Sequence, residues 1–77
     1  MQVTNTLEIT GRGLVVEVNQ AAALPFTKLA ATITRPDGIR LSTPAFKEFP
    51  RNAFLLTELS KTDVPIGSEI EVQVLSG

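Results

Sequence analysis

Any chemistry in this 77-residue chain has to be done without histidine and without cysteine, because the sequence contains neither. That removes the commonest general base, the commonest transition-metal ligand, every thiolate and every disulfide. The remaining acid/base or metal candidates are carboxylates, chiefly Glu8, Glu17, Glu69 and Glu71. A catalytic carboxylate pair has to converge in a cleft that shifts its pKa, whereas alternation puts Glu69 and Glu71 on the outward face of one strand. Serine and threonine are plentiful but lack the base of an ordinary triad, and Lys28 or Lys61 offers only a remote serine–lysine arrangement. Asp37-Gly38 reads as a hairpin turn rather than a calcium loop, which needs closely spaced oxygen ligands. Gly11-Arg12-Gly13 lacks the Gly-Lys-Ser/Thr ending of a phosphate-binding loop. The expectation is a non-enzymatic chain with no cofactor and no metal.

Binding residues are easier to find. Arg12 stands between two glycines, where its side chain can reach a partner or a phosphate. Lys47 and Arg51 interleave with Phe46 and Phe49, a small version of the platform on which bases stack and phosphates pair. Arg12, Lys47 and Arg51 are therefore the candidate RNA contacts. Against them stand Glu48 in the middle of the run and a net charge of −1, from seven basic and eight acidic residues, where nucleic-acid binders carry a basic footprint. The competing feature is apolar. Leu24, Phe26 and Phe49 fall in loop-like segments, where they either plug the ends of a small domain or form a protein-binding or self-association patch.

The elements that position these residues are strands. Ile70, Val72 and Val74 alternate with Glu69, Glu71 and Gln73, the pattern of a strand with one buried face. Leu29, Ala31 and Ile33 alternate with Ala30, Thr32 and Thr34, and Leu7 and Ile9 alternate with Thr6, Glu8 and Thr10 in the same manner. The run Leu14 to Val18 is more continuous and β-branched, suited to packing on both faces or beside a bulge. Pro36, Asp37 and Gly38 carry the turn chemistry of a hairpin joining Lys28–Thr34 to Ile39–Phe46. Pro44 and Pro50 bound the least regular stretch, and a further strand covers Asn52 to Thr57. Ser60 and Asp63 have the spacing of a cap on one short helical turn before Pro65. Asn19 to Thr27 reads as a loop or single turn, because its alanine run is too short to sustain a helix.

Length bounds the chain to a single domain, residues 1–77, with a modest core. About six short strands with frequent turns suggest a small, closed or nearly closed antiparallel β-barrel, all-β in class. Closure would remove the exposed edges of a sheet that has no disulfide to support it. No apolar run reaches the roughly 20 residues of a membrane span, and the N-terminus has no signal-peptide pattern, so a soluble cytoplasmic protein is expected.

Three motifs in order, Gly11-Arg12-Gly13-Leu14-Val15-Val16, then Phe54-Leu55-Leu56, then Lys61-Thr62-Asp63-Val64 followed by Gly67, give the chain a family likeness. It resembles the second, β-barrel domain of the elongation factor Tu family of translation factors, from about Leu7 to about Val74. The family's aromatic-basic pair would fall on Phe46-Lys47. The resemblance implies a translation-protein domain 2-like barrel that in the family accompanies a GTPase, with no GTP binding from these residues themselves. Where the family carries acidic residues for the aminoacyl end of transfer RNA, this chain has Thr43-Pro44-Ala45 and Pro50-Arg51, so no transfer-RNA site carries over. The turn after the second strand departs as well, reading Glu17-Val18-Asn19-Gln20-Ala21-Ala22. The functional expectation is a stand-alone, non-catalytic binding or accessory module whose partner is another protein or its own copy. The alternative is an RNA- or ribosome-associated translation accessory.

Overall fold

The computed structural model describes residues 1–20, 24, 27–49 and 52–75. Six strands follow one another: β1 (Val3–Ile9), β2 (Gly13–Val18), β3 (Leu29–Thr34), β4 (Arg40–Glu48), β5 (Ala53–Leu56) and β6 (Glu69–Val74), with one 3-10 turn, η1 (Lys61–Asp63), before β6. They form one sheet in the order β1-β2-β5-β4-β3-β6, every neighbouring pair antiparallel. Among the described residues no helix is long and apolar enough to cross a membrane.

Local sequence explains the hairpin joining β3 to β4. The Gly38 amide donates to the Arg35 carbonyl at 2.9 Å, and the Arg35 amide donates to the Ile39 carbonyl at 2.8 Å. Asp37 accepts the Ile39 amide at 3.1 Å and pairs with the Arg35 guanidinium at 3.1 Å, while Gly38 takes a φ of +89°. The short turn anticipated at Ser60 is present too. The Asp63 carboxylate accepts the Ser60 amide at 2.8 Å and the Ser60 hydroxyl at 3.0 Å. Those two bonds hold the Asp63 carboxyl below its ordinary pKa.

The strands curl so that one face encloses the core. Leu14 and Val16 of β2, Leu29 and Ile33 of β3, and Phe54 and Leu56 of β5 are all 0% exposed. Val64, just past η1, closes the same cluster, and half-buried Leu24 packs against it.

Two sequence expectations are corrected here. Leu7 and Ile9 were expected on the buried face of their strand. Register slips between Val3 and Asn5, so that Val3 pairs with Val18 and Asn5 with Glu17, leaving Thr4 as an extra residue. A one-residue bulge reverses every side chain beyond it. Thr6 therefore lies opposite the core residue Val16, and Leu7 is turned outward at 61% exposure.

The strand expected over Ile39–Phe46, with the least regular stretch between Pro44 and Pro50, instead runs through Pro44 and on to Glu48. The Thr57 amide donates to the Pro44 carbonyl at 3.3 Å, so the polar edge of Pro44 faces β5 just beyond Leu56, where that strand has ended. The missing N–H of proline thus removes no ladder bond. Thr43 completes the local bonding, its hydroxyl donating to the Pro44 carbonyl at 2.9 Å and accepting the Glu58 amide at 3.2 Å.

The edge strands β1 and β6 meet at one end only, through a bridge between Gln2 and Glu69. Val3 donates to Ser68 at 2.8 Å and accepts from Gly67 at 2.9 Å, and Met1 and Ile70 exchange a pair of bonds at 2.7 and 3.1 Å. Beyond this the sheet is not closed by a β1–β6 ladder. The rest of β1 lies beside η1, where Glu8 accepts the Lys61 amide at 3.0 Å.

Candidate interaction groove on the outer sheet face

The Thr4 bulge has a direct consequence on the outer surface. Register places Leu7 opposite Val15, Val15 opposite Leu55, and Leu55 opposite Phe46. Four apolar side chains therefore form a row across β1, β2, β5 and β4 on the side away from the core. Leu55 stands outside the core cluster and is nonetheless only 7% exposed, flanked by this row. The row ends are open, with Leu7 at 61% and Phe46 at 37% exposure.

A groove of about 450 Å³ opens over the β1–β2 part of this face. Leu7, Ile9 and Val15 supply its apolar floor, and Phe49, 77% exposed, supplies a wall. Arg12 crosses from the β1–β2 turn to the end of β4, its guanidinium donating to Glu48 Oε1 at 2.7 Å. Two glycines hold that turn in place. Gly11 and Gly13 have φ of +84° and +135°, and the Arg12 amide donates to the Ile9 carbonyl at 3.0 Å. A Cβ at Gly13 would collide with the Leu56 carbonyl oxygen, so the close approach of the turn to β5 requires glycine. Glu17 lines the groove as a second carboxylate beside the one that Arg12 neutralises.

The residues singled out from sequence divide among different places. Arg12 and Phe49 both line the groove. Lys47 points to the other face of β4, 7% exposed, with its Nζ 5.3 Å from the centroid of the Phe54 ring, a cation–π contact in the core wall. Arg12 and Lys47 therefore do not share a surface. Leu24 belongs to the core periphery rather than to the groove. Arg51 and Phe26 lie outside the described residues. The groove residues Leu7, Val15 and Glu17 went unrecognised as a site because no sequence signal announces the bulge at Thr4. Among the described residues, no three acidic side chains gather as metal ligands.

No family model, no curated protein and no solved structure matches the chain.

Proposed function

We propose that this chain is a non-catalytic protein-binding module that docks an apolar, lysine- or arginine-bearing segment of a partner protein in the outer groove. Its architecture in this reading is a nearly closed barrel like the second domain of translation factors, with β1 and β6 drawn together at Gln2 and Glu69. A cytoplasmic setting accords with the absence of cysteine.

The observation that carries the reading is the outward row of Leu7, Val15, Leu55 and Phe46 beside Phe49. Apolar side chains set on hydrogen-bonded strands are held in place before a partner arrives, which lowers the entropy cost of binding. Charge selects the partner's sign. Arg12 is engaged by Glu48, and Glu17 leaves the groove with an excess carboxylate. That field favours a basic group and repels phosphate.

Selection of random peptides on the immobilised protein tests this. Enriched sequences should combine apolar residues with lysine or arginine. Replacing Leu7 and Phe49 together, Leu7→Asp with Phe49→Asp, should weaken them by roughly thirtyfold, the loss expected for one binding hot spot. Acidic enriched peptides, or binding indifferent to that double variant, would overturn the assignment. If single-stranded RNA bound instead, with affinity falling steeply as salt rises, the translation-accessory alternative would replace it.

A further inference from the structure

The two edges of the sheet are not equally protected. On the β1 edge, η1 lies alongside, Lys61 donates to Glu8, and Thr6 is only 8% exposed. On the β6 edge, the strand continues to Val74 after its last bond to Met1 at Ile70.

The direction of the remaining backbone groups follows from register. Ile70 donates to and accepts from Met1, so its N–H and C=O point away from β3. The β3–β6 ladder is continuous from Glu69 to Val74, and backbone direction alternates along an antiparallel strand. Val72 and Val74 therefore aim their N–H and C=O groups at the open edge, and no backbone hydrogen bond joins them there to any described residue. Of the devices that blunt an edge, this one carries only the charge of Glu71. From Glu71 to Leu75 there is no proline, no lysine and no register slip, and Val74 and Leu75 are 51% and 46% exposed.

We infer that this edge pairs with the same edge of a second copy, β6 against β6 in antiparallel fashion, with a two-fold axis at Gln73. Within the described residues, this is the register that bonds both valines. It sets Val72 against Val74 of the second copy, and Val74 against its Val72, giving four backbone bonds, because each such pair exchanges two. A register centred on Val72 would place Val74 against Ile70, whose polar groups Met1 already occupies.

Side chains agree with the Gln73 register. The valine pairs extend the core-facing side beyond Ile70, and the two Gln73 amides meet on the axis, where each can donate to the other. Glu71 lies opposite Leu75 rather than opposite its own copy. The two Glu71 side chains stand about four residues apart along the strands, roughly 13 Å, which exceeds the screening length of about 8 Å at physiological salt. The edge is thus self-complementary in both bonding and charge. This pairing is independent of the outer groove, which lies on β1, β2 and the end of β4.

Two measurements test it. Sedimentation over a concentration series should show a reversible dimer that Val74→Pro weakens by at least about tenfold, because the substitution removes two of the four intermolecular bonds and none from the β3 ladder. Gln73→Cys, in a chain otherwise free of cysteine, should oxidise to a covalent dimer at least about ten times faster than Glu71→Cys, since directly opposed positions on such a pair approach disulfide geometry. A dimer untouched by Val74→Pro would overturn the proposal, as would equal oxidation of the two cysteine variants. A dimer broken by Leu7→Asp with Phe49→Asp but not by Val74→Pro would place self-association in the groove and also overturn it.

Discussion

Leu55 and Leu56 are neighbours in β5 and face opposite ways, and the two surfaces they enter are built from the same kinds of side chain. On the inner side, Leu56 joins Phe54, Leu14 and Val16, all 0% exposed, and Val64 seals the cluster from beyond η1. On the outer side, Leu55 sits in a row with Leu7, Val15 and Phe46 that nothing among the described residues covers completely, and Phe49 beside it is 77% exposed. The inner surface is the one that folding removes from solvent completely. The outer one adds apolar area that folding does not bury, which is the arrangement expected of a surface kept for a partner.

Mutations can break this comparison or make it sharper. The largest effect belongs to the inner face. Phe54→Ala should cost about 3–5 kcal/mol against a total stability of roughly 4–12 kcal/mol for a domain of this size, leaving urea unfolding shifted to very low denaturant or lost. A cost under about 1 kcal/mol would mean the inner cluster is not the core. Next is the joint between the faces. Gly13→Ala should cost about 1–3 kcal/mol, through its positive φ and the Leu56 carbonyl, measured in the same unfolding experiment. Arg12→Ala breaks an exposed ion pair across the groove and should cost no more than about 1 kcal/mol, with the loss shrinking further in high salt.

The smallest effect is local to η1. The Asp63 pKa is lowered by the Ser60 amide and hydroxyl bonds, so its contribution is complete above the ordinary carboxyl value and fades as pH falls through the lowered one. Carbon-detected titration should find its midpoint below that of free aspartate, and Ser60→Ala should move it part of the way back. An unmoved midpoint would remove the hydroxyl from the account.

How much of this was legible in sequence depended on whether the deciding force was local. The Arg35–Ile39 hairpin could be read because proline, aspartate and glycine each satisfy a demand of the turn itself. The Ser60–Asp63 turn could be read for the same reason. The reversal of Leu7 and Ile9 could not, because a bulge at Thr4 is settled by which side chains fit opposite β2 and not by any residue preference within β1. The continuation of β4 past Phe46 was not legible, because the early end of β5, which leaves the missing N–H of Pro44 without a ladder partner, lies far along the chain. Lys47 looked like a surface cation, whereas the alternation running through Thr43 and Ala45 turns it inward against Phe54. Arg12 and Phe49 were found as candidates on residue type alone, and the fold brought them to one groove. Their companions Leu7, Val15 and Glu17 became visible only with the register.

The central claim is that the outer face binds and the inner face folds, and a single paired measurement addresses it. The variant carrying Leu7→Ser and Phe49→Ser should unfold within about 1 kcal/mol of the original chain, since each is a surface change worth about 0.5 kcal/mol or less. An amide-resolved NMR titration with a selected basic-apolar peptide should shift resonances of Leu7, Val15, Glu17 and Phe49 in the original chain and leave them unmoved in the variant. Shifts confined to β3 and β6, or a variant that unfolds on its own while the peptide still binds, would contradict the account.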